Sequence, residues 1–419
     1  MRKIFLFGIT LILFGSPIKT VALDMAQGQV EIHGFVSQGY LVTDRNNFLG
    51  KTDGAGSFDY NEVGVNALTS VSDDLEVGMQ LLNRNFVDVA ASELRIDWAQ
   101  ATYHVDNEFG LKFGKVRLPY ALYTQTRDID LARASIFLPQ SIYTEFARDT
   151  EAGMYGAGIF GSLPGDSIGS LDYDFFIGKV DLTDKGGEVK FFEDGGSPFD
   201  VTEFNAGTTL VARSFWNLPL EGMKIGGSIA GFPLNIGGHI EPIVSRESHH
   251  DLIPFAGTSF HQKTDVLTYI FSWEYVTGPL TLASEYQVFK FGSFDTTTFA
   301  GRSSGNARTS EGSYLMASYR LSDLLQLGSY YALYYRDKND HSGRDFSAKS
   351  GLPDYASWQQ DLALSLRFDI TDYWIVKLEG HYLDGTVRTF IDANIDPVTG
   401  EGELARSWYM GAVKTTVAF

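Results

Sequence analysis

The stretch VRLPYALYTQTRDIDLARASIFLPQSIYTEFARD, Val116 to Asp149, sets Arg127, Arg133 and Arg148 among Asp128, Asp130, Glu145 and Asp149, with Arg117 at its start. The same stretch holds Ile136, Phe137, Leu138, Ile142, Tyr143 and Phe146. That is too much apolar surface for a loop bathed in water, and it suits a segment that dips inward and packs on a wall. Opposed charges across a narrow wet slit orient dipolar solutes and sort ions by sign. Candidates for a facing wall are Arg84, Arg320, Arg336, Arg367, Lys377, Glu62, Glu274, Glu285, Asp361 and Glu379. A second reading, compatible with the first, is that the loop's arginines and acids pair with one another and hold its shape.

Other chemistry is poorly supported. SRESHHDL places His249 and His250 beside Asp251, with His239 and His261 flanking. Adjacent histidines in an extended segment point apart, so no metal site is expected there. The acidic run Asp181, Asp184, Glu188, Glu193, Asp194, Asp200 and Glu203, against Lys185 and Lys190, suits a solvated cap or a divalent-cation bridge to lipopolysaccharide. A barrel lipase needs Ser and His together on the lipid-facing wall. Ser365 and His381 both fall on the opposite face, so no catalytic residue, enzyme activity or cofactor is expected. With no cysteine in 419 residues, disulfides and thiolate chemistry are excluded.

The elements that must position the charged loop show a period of two. Leu362, Leu364, Leu366 and Phe368 alternate with Asp361, Ala363, Ser365, Arg367 and Asp369. Trp374, Val376, Leu378 and Tyr382 alternate with Lys377, Glu379 and His381, and Leu267, Tyr269, Phe271, Trp273 and Tyr275 with Thr268, Ser272 and Glu274. Strands of a sandwich average five or six residues; these run to roughly ten or more, the length that crosses a bilayer with lipid on one side and a wet lumen on the other. Short turns at Ser72–Asp74, Asp106–Glu108, Leu163–Ser167, Leu218–Gly222, Thr277–Pro279, Ser322–Leu324 and Thr371–Tyr373 alternate with long polar segments near 44–57, 85–92, 118–148, 181–205, 235–264, 292–310, 337–354 and 387–405. These punctuate sixteen strands of an all-β, antiparallel transmembrane barrel. The count is even and returns both ends to one side, and closure removes unpaired edges in lipid. The fourth strand, SELRIDWAQATYHV, has two phases, Leu94–Ile96–Trp98 and Ala99–Ala101–Tyr103, which a bulge would reconcile.

The first residues, MRKIFLFGITLILFG, join Arg2 and Lys3 to an apolar run from Ile4 to Phe14, too short to span a bilayer and suited to a signal peptide of residues 1–22, with the barrel as one domain over 23–419. The net charge of −19 argues against nucleic acid partners. Aromatics make up 14% of the chain and glycines number 44, a composition of strands and tight turns.

The last strand sets Tyr409, Gly411, Val413, Thr415, Val417 and Phe419 on one face, and Trp408, Met410, Ala412, Lys414 and Thr416 on the other. This ending resembles the C-terminal assembly signal of outer-membrane β-barrels, with Phe419 as its terminal aromatic. Over its whole length after the signal peptide the chain resembles the bacterial outer-membrane porins, in which the third external loop folds into the lumen. FGKVRLPYALY also resembles a strand-to-loop junction of the phosphate-selective and related porins, although the lysine-rich pattern of a phosphate-selective constriction is absent. The resemblance implies a water-filled channel for passive diffusion of small hydrophilic solutes and ions. The other outcome left open is a substrate-specific channel with a defined site for a sugar, organic acid or anion, towards which Tyr330 and Tyr334 would contribute stacking. It assigns Arg117, Arg127, Asp128, Asp130, Arg133, Glu145, Arg148 and Asp149 to a constriction. To the pore wall it assigns Arg84, Arg320, Arg336, Arg367, Lys377, Glu274 and Glu285. It further implies a homotrimer in the outer membrane of a Gram-negative bacterium, with lipid, lipopolysaccharide and the barrel-assembly machinery as partners.

Overall fold

The computed structural model describes residues 21–25, 28–194, 199–241, 257–298, 301–396 and 400–419. The expected signal peptide lies outside these residues, apart from Val21 and Ala22. Sixteen antiparallel strands run in chain order: β1 (Gly28–Thr43), β2 (Tyr60–Ser70), β3 (Leu75–Phe86), β4 (Ala90–His104), β5 (Gly110–Arg117), β6 (Gly153–Pro164), β7 (Ser170–Val180) and β8 (Phe199–Ala206 continued by Thr209–Asn217). They continue as β9 (Met223–Ile240), β10 (Ser259–Thr277), β11 (Leu280–Phe291 with Phe294–Thr298), β12 (Gly301–Gly305 with Arg308–Arg320), β13 (Leu325–Tyr335), β14 (Trp358–Thr371), β15 (Trp374–Gly385) and β16 (Ser407–Ala418). Each pairs with its neighbours, and β16 pairs back with β1 from Phe35↔Ala418 to Thr43↔Met410, which closes the barrel. A short strand, Val21–Met25, folds back on the start of β1.

Side-chain alternation sets the two faces. On β14, Leu364 is 63% exposed while Asp361, Ala363, Ser365 and Arg367 are buried. An outward leucine belt and an inward polar row are the arrangement of a strand between lipid and lumen. The fourth strand carries the expected bulge: Gln80 pairs with Trp98 and Leu81 with Ile96, so Asp97 is the extra residue. The bulge turns Trp98 inward, where it is buried, while Leu94 and Ile96 stay outward. The outward assignment of Trp98 is corrected accordingly.

Several loop boundaries also differ from the sequence reading. The second long segment is only the tight connection 87–89, because Phe86, Val89 and Ala90 bury themselves at the barrel mouth. Phe199–Ala206 is strand rather than loop and pairs with β9 alone, above the end of β7. Strands β9 and β10 run on into the fifth segment as far as His239↔Ser259. The sixth contains the hairpin Phe294–Thr298 and Gly301–Gly305. Short helices α1 (Arg148–Ala152), α2 (Gly187–Glu193) and α3 (Arg344–Ser350) lie in the third, fourth and seventh connections.

Candidate functional site

The third loop, between β5 and β6, packs on the buried faces of the wall strands. Tyr120, Leu138, Ile142 and Tyr143 join one apolar cluster with Ile270, Tyr314, Tyr330 and Ala363. Ile136, Phe137 and Phe146 join another with Phe48, Tyr60, Phe86 and Trp408. Two inward glycines admit the loop: a Cβ at Gly312 would overlap the carbonyl oxygen of Ser141, and one at Gly328 would stand 3.0 Å from the Ala134 Cβ.

Wall carboxylates hold the loop backbone. Glu285 on β11 accepts from Leu122 N–H (3.0 Å), from the Tyr143 hydroxyl, and from Ser272 (2.6 Å) and Tyr314 (2.9 Å) beside it. Glu379 on β15 accepts from Ile136 N–H (2.7 Å) and Phe137 N–H (2.9 Å). His381 lies between Glu379 (3.0 Å) and Asp361 (2.9 Å) and so steadies that acceptor. Tyr123 donates to Glu274 at 2.7 Å, and Lys224 pairs with the other oxygen of the same carboxylate. Arg367 on β14 donates to the carbonyls of Leu131 (2.6 Å) and Arg133 (3.2 Å).

Asp130 gathers three cations. It pairs with Lys414 (2.7 Å), Lys377 (3.4 Å) and Arg133 (3.3 Å), and it accepts from Thr416 at 2.7 Å. Burial raises its pKa, but the Lys414 and Lys377 charges outweigh burial and hold it far below the ordinary carboxylate range. Lys377 and Lys414 are themselves direct cross-strand partners.

The remaining charges of the loop are consumed by one another. Arg127 pairs with Glu151 (2.7 Å) and Glu145 (3.3 Å), and Arg84 on β3 pairs with Glu145 and with Glu62 (3.2 Å). Arg148 pairs with Asp128, with Asp149 (3.3 Å) and with the bulge residue Asp97 (2.7 Å), while Arg95 takes the other side of Asp149. Burial raises the Asp128 pKa, but Arg148 outweighs it and brings the group down to about 2. The loop's arginines and acids thus form bonded pairs, and several of the bonds reach the wall.

Other expected residues lie apart from this network. Arg117 stacks over Trp98 at 4.2 Å and donates to the Gln125 carbonyl. Arg320 pairs with Asp369 near the short-turn end. Arg336 makes no ion pair among the described residues. Sequence reasoning passed over Lys414, Asp97 and Glu151. Lys414 was legible as an inward residue of the last strand, whereas Asp97 acquires its place only through the bulge. His249, His250 and Asp251 lie outside the described residues. The acids of the fourth loop tie loops together: Glu188 accepts from Thr150, Asp194 from Ile391 and Asp392 N–H, and Glu193 from Val201 N–H. Phe419 exchanges backbone hydrogen bonds with Gly34 (3.0 and 2.9 Å), and its ring covers that glycine.

Two cavities flank the loop. One of about 260 Å³ is lined by Gln80, Asp97, Trp98, Arg117, Asp128 and Arg148. The other, of about 220 Å³, is lined by Tyr123, Arg133, Glu274, Ser318, Gln326 and Tyr330.

No protein-family model matches the chain, and no curated protein matches it. Solved structures do. OmpT of Vibrio cholerae aligns with a TM-score of 0.54 at 11% identity, over 95% of this chain and 100% of that one. The same protein has been solved in a trimer form, with a TM-score of 0.52 at 11% identity over 94% and 99% of the chains. OmpF of Salmonella typhi, in complex with daunomycin, gives 0.53 at 11% identity over 95% and 100%. The anion-selective porin of Comamonas acidovorans gives 0.51 at 13% identity over 94% and 100%. Closed by sixteen antiparallel strands, with an outward apolar belt and a charged interior, the chain has the fold of the bacterial outer-membrane porins.

Proposed function

We propose that the chain is an outer-membrane porin of a Gram-negative bacterium, a passive channel for small hydrophilic solutes and ions. In this reading the third loop is its constriction, and no catalytic step is assigned to it. The observation that carries the reading is the latching of residues 118–148 to inward side chains of β10, β11, β14, β15 and β16 through Glu274, Glu285, Arg367, Lys377, Glu379 and Lys414. A loop held on several strands at once narrows the lumen along its length. Replacing Thr126–Ser141 by a short glycine–serine linker should raise single-channel conductance in planar bilayers. Unchanged conductance would remove the loop from the permeation path.

A channel with a defined solute site is favoured by one specific feature, the pair of small bounded cavities beside the loop. Solute-dependent block of the current separates the two readings. A homotrimer is consistent with the trimer form of OmpT, and chemical cross-linking in mild detergent tests it. Residues 1–22 are proposed as a cleaved signal peptide, and Phe419 as the mark read by the assembly machinery.

A further inference from the structure

At the long-loop end of the lumen, three arginines stand without carboxylate partners. Arg308 opens the second segment of β12, Arg336 follows β13, and Arg388 follows β15. Arg308 and Arg336 have the inward parity of their strands, shared with buried Ser310 and Tyr314 on one and with Tyr330 and Ala332 on the other. All three act electrostatically on Tyr334, and Arg308 acts on both of the others. Arg388 is 8% exposed and lies 3.5 Å above the Tyr334 ring. The Nε atoms of Arg308 and Arg388 are buried with no hydrogen-bond partner.

Five other inward or loop arginines differ from these. Arg84, Arg127, Arg133, Arg148 and Arg367 all hold carboxylates. The acids nearest the three are otherwise engaged: Glu151 bonds Arg127, and Asp194 accepts from the backbone of the eighth loop. Buried cations without counter-charge are costly unless an anion joins them. Burial, followed by the repulsion of Arg308, holds Arg336 down at about 10, so it remains charged near neutral pH. Guanidinium groups bind oxyanions through paired N–H donors, which makes carboxylate and phosphate the matching chemistry.

We propose that Arg308, Arg336 and Arg388 form a docking site for a small free oxyanion, a carboxylate or phosphate solute, at the outer end of the lumen. This deepens the solute-channel reading and rests on it for the site's purpose. The site is too enclosed at Arg388 for an extended lipid headgroup, so the ligand is a diffusing solute.

The test is calorimetric titration of the full chain in detergent, in low-chloride buffer, with sodium phosphate and separately with sodium acetate. Phosphate binding alone, or acetate binding alone, identifies the class. R308Q/R336Q/R388Q should weaken binding at least tenfold, and the partly exposed single variant R336Q at least threefold. If the triple variant does not fold, R336Q decides. Absence of binding by the parent for both anions, or undiminished binding by the variants, overturns the site. Conductance of the parent, measured on the same preparation, tells the two failures apart. A parent that conducts but binds neither anion loses only the site, and one that binds without conducting loses only the channel.

Discussion

Asp130→Asn removes the charge at which the third loop meets the wall. Asp130 is 4% exposed, and it carries Lys377, Lys414, Arg133 and Thr416. After the substitution Lys414 keeps Glu62 at 2.7 Å, but Lys377, 1% exposed, keeps only the carbonyls of Asp130 and Ser135. Removing one member of a buried ion pair costs about 3–5 kcal/mol, because the other charge is left uncompensated. At about 1.4 kcal/mol per tenfold, even the lower figure shifts the balance between seated and released loop by roughly a hundredfold. Single-channel recording should show a higher-conductance level in D130N that the parent visits rarely. The direction of the pKa shift fixes the pH dependence. A carboxylate depressed by folding lends full stability above its unfolded pKa, about 3.9, and loses it only as pH falls through the far lower folded value. Acid therefore should not release the Asp130 charge from this latch at any pH above about 4.5. Identical conductance levels and dwell times in D130N and parent would refute the latch.

Gly312→Val drives a side chain into the Ser141 carbonyl and should lower the thermal midpoint in detergent, at a cost of about 1–3 kcal/mol; an unchanged midpoint would mean the loop does not rest there. Glu188 in α2 is pushed up to about 8 by burial and then by Asp149. Its raised folded pKa makes the docked fourth loop lose stability as pH climbs from about 4.3 to that value, so hydrogen exchange over 187–193, corrected for intrinsic rate, should quicken across this window in the parent and not in Glu188→Gln. Deleting Phe419 should reduce outer-membrane levels more than synthesis, as read by fractionation and pulse labelling; equal levels would make the terminal aromatic incidental.

Much of the barrel was legible because lipid and water impose opposite demands on successive residues of one strand. Leu364 and Ser365 declare their faces without any knowledge of their neighbours, and the clash of phases in β4 pointed to the bulge found at Asp97. The closed loop–wall network was harder to read. Asp130 was recognisable as a charged residue in an apolar loop, but its partners lie 247 and 286 positions away at Lys377 and Thr416. No local pattern encodes such pairings. The hairpin at 294–305 was missed because a strand above the membrane has no lipid face, so its threonines and serines read as loop. The segment 85–92 was misread for the opposite reason: Asn85, Asp88 and Ser92 masked Phe86 and Val89, which are buried at the mouth.

Lys377 and Lys414 face each other directly across the last seam of the sheet. Like charges opposite one another disfavour strand pairing, so β15 and β16 are poorly matched at this point until Asp130 is inserted between them. The third loop thus shares with Glu62 on β2 the neutralising of this closing joint. Conversely, the seat for Asp130 is incomplete until β16 has brought in Lys414 and Thr416, only a few residues from the chain's end. Loop seating and barrel closure therefore depend on the same residues, and a chain whose final strand has not joined the sheet lacks the Lys414 and Thr416 contacts that hold Asp130.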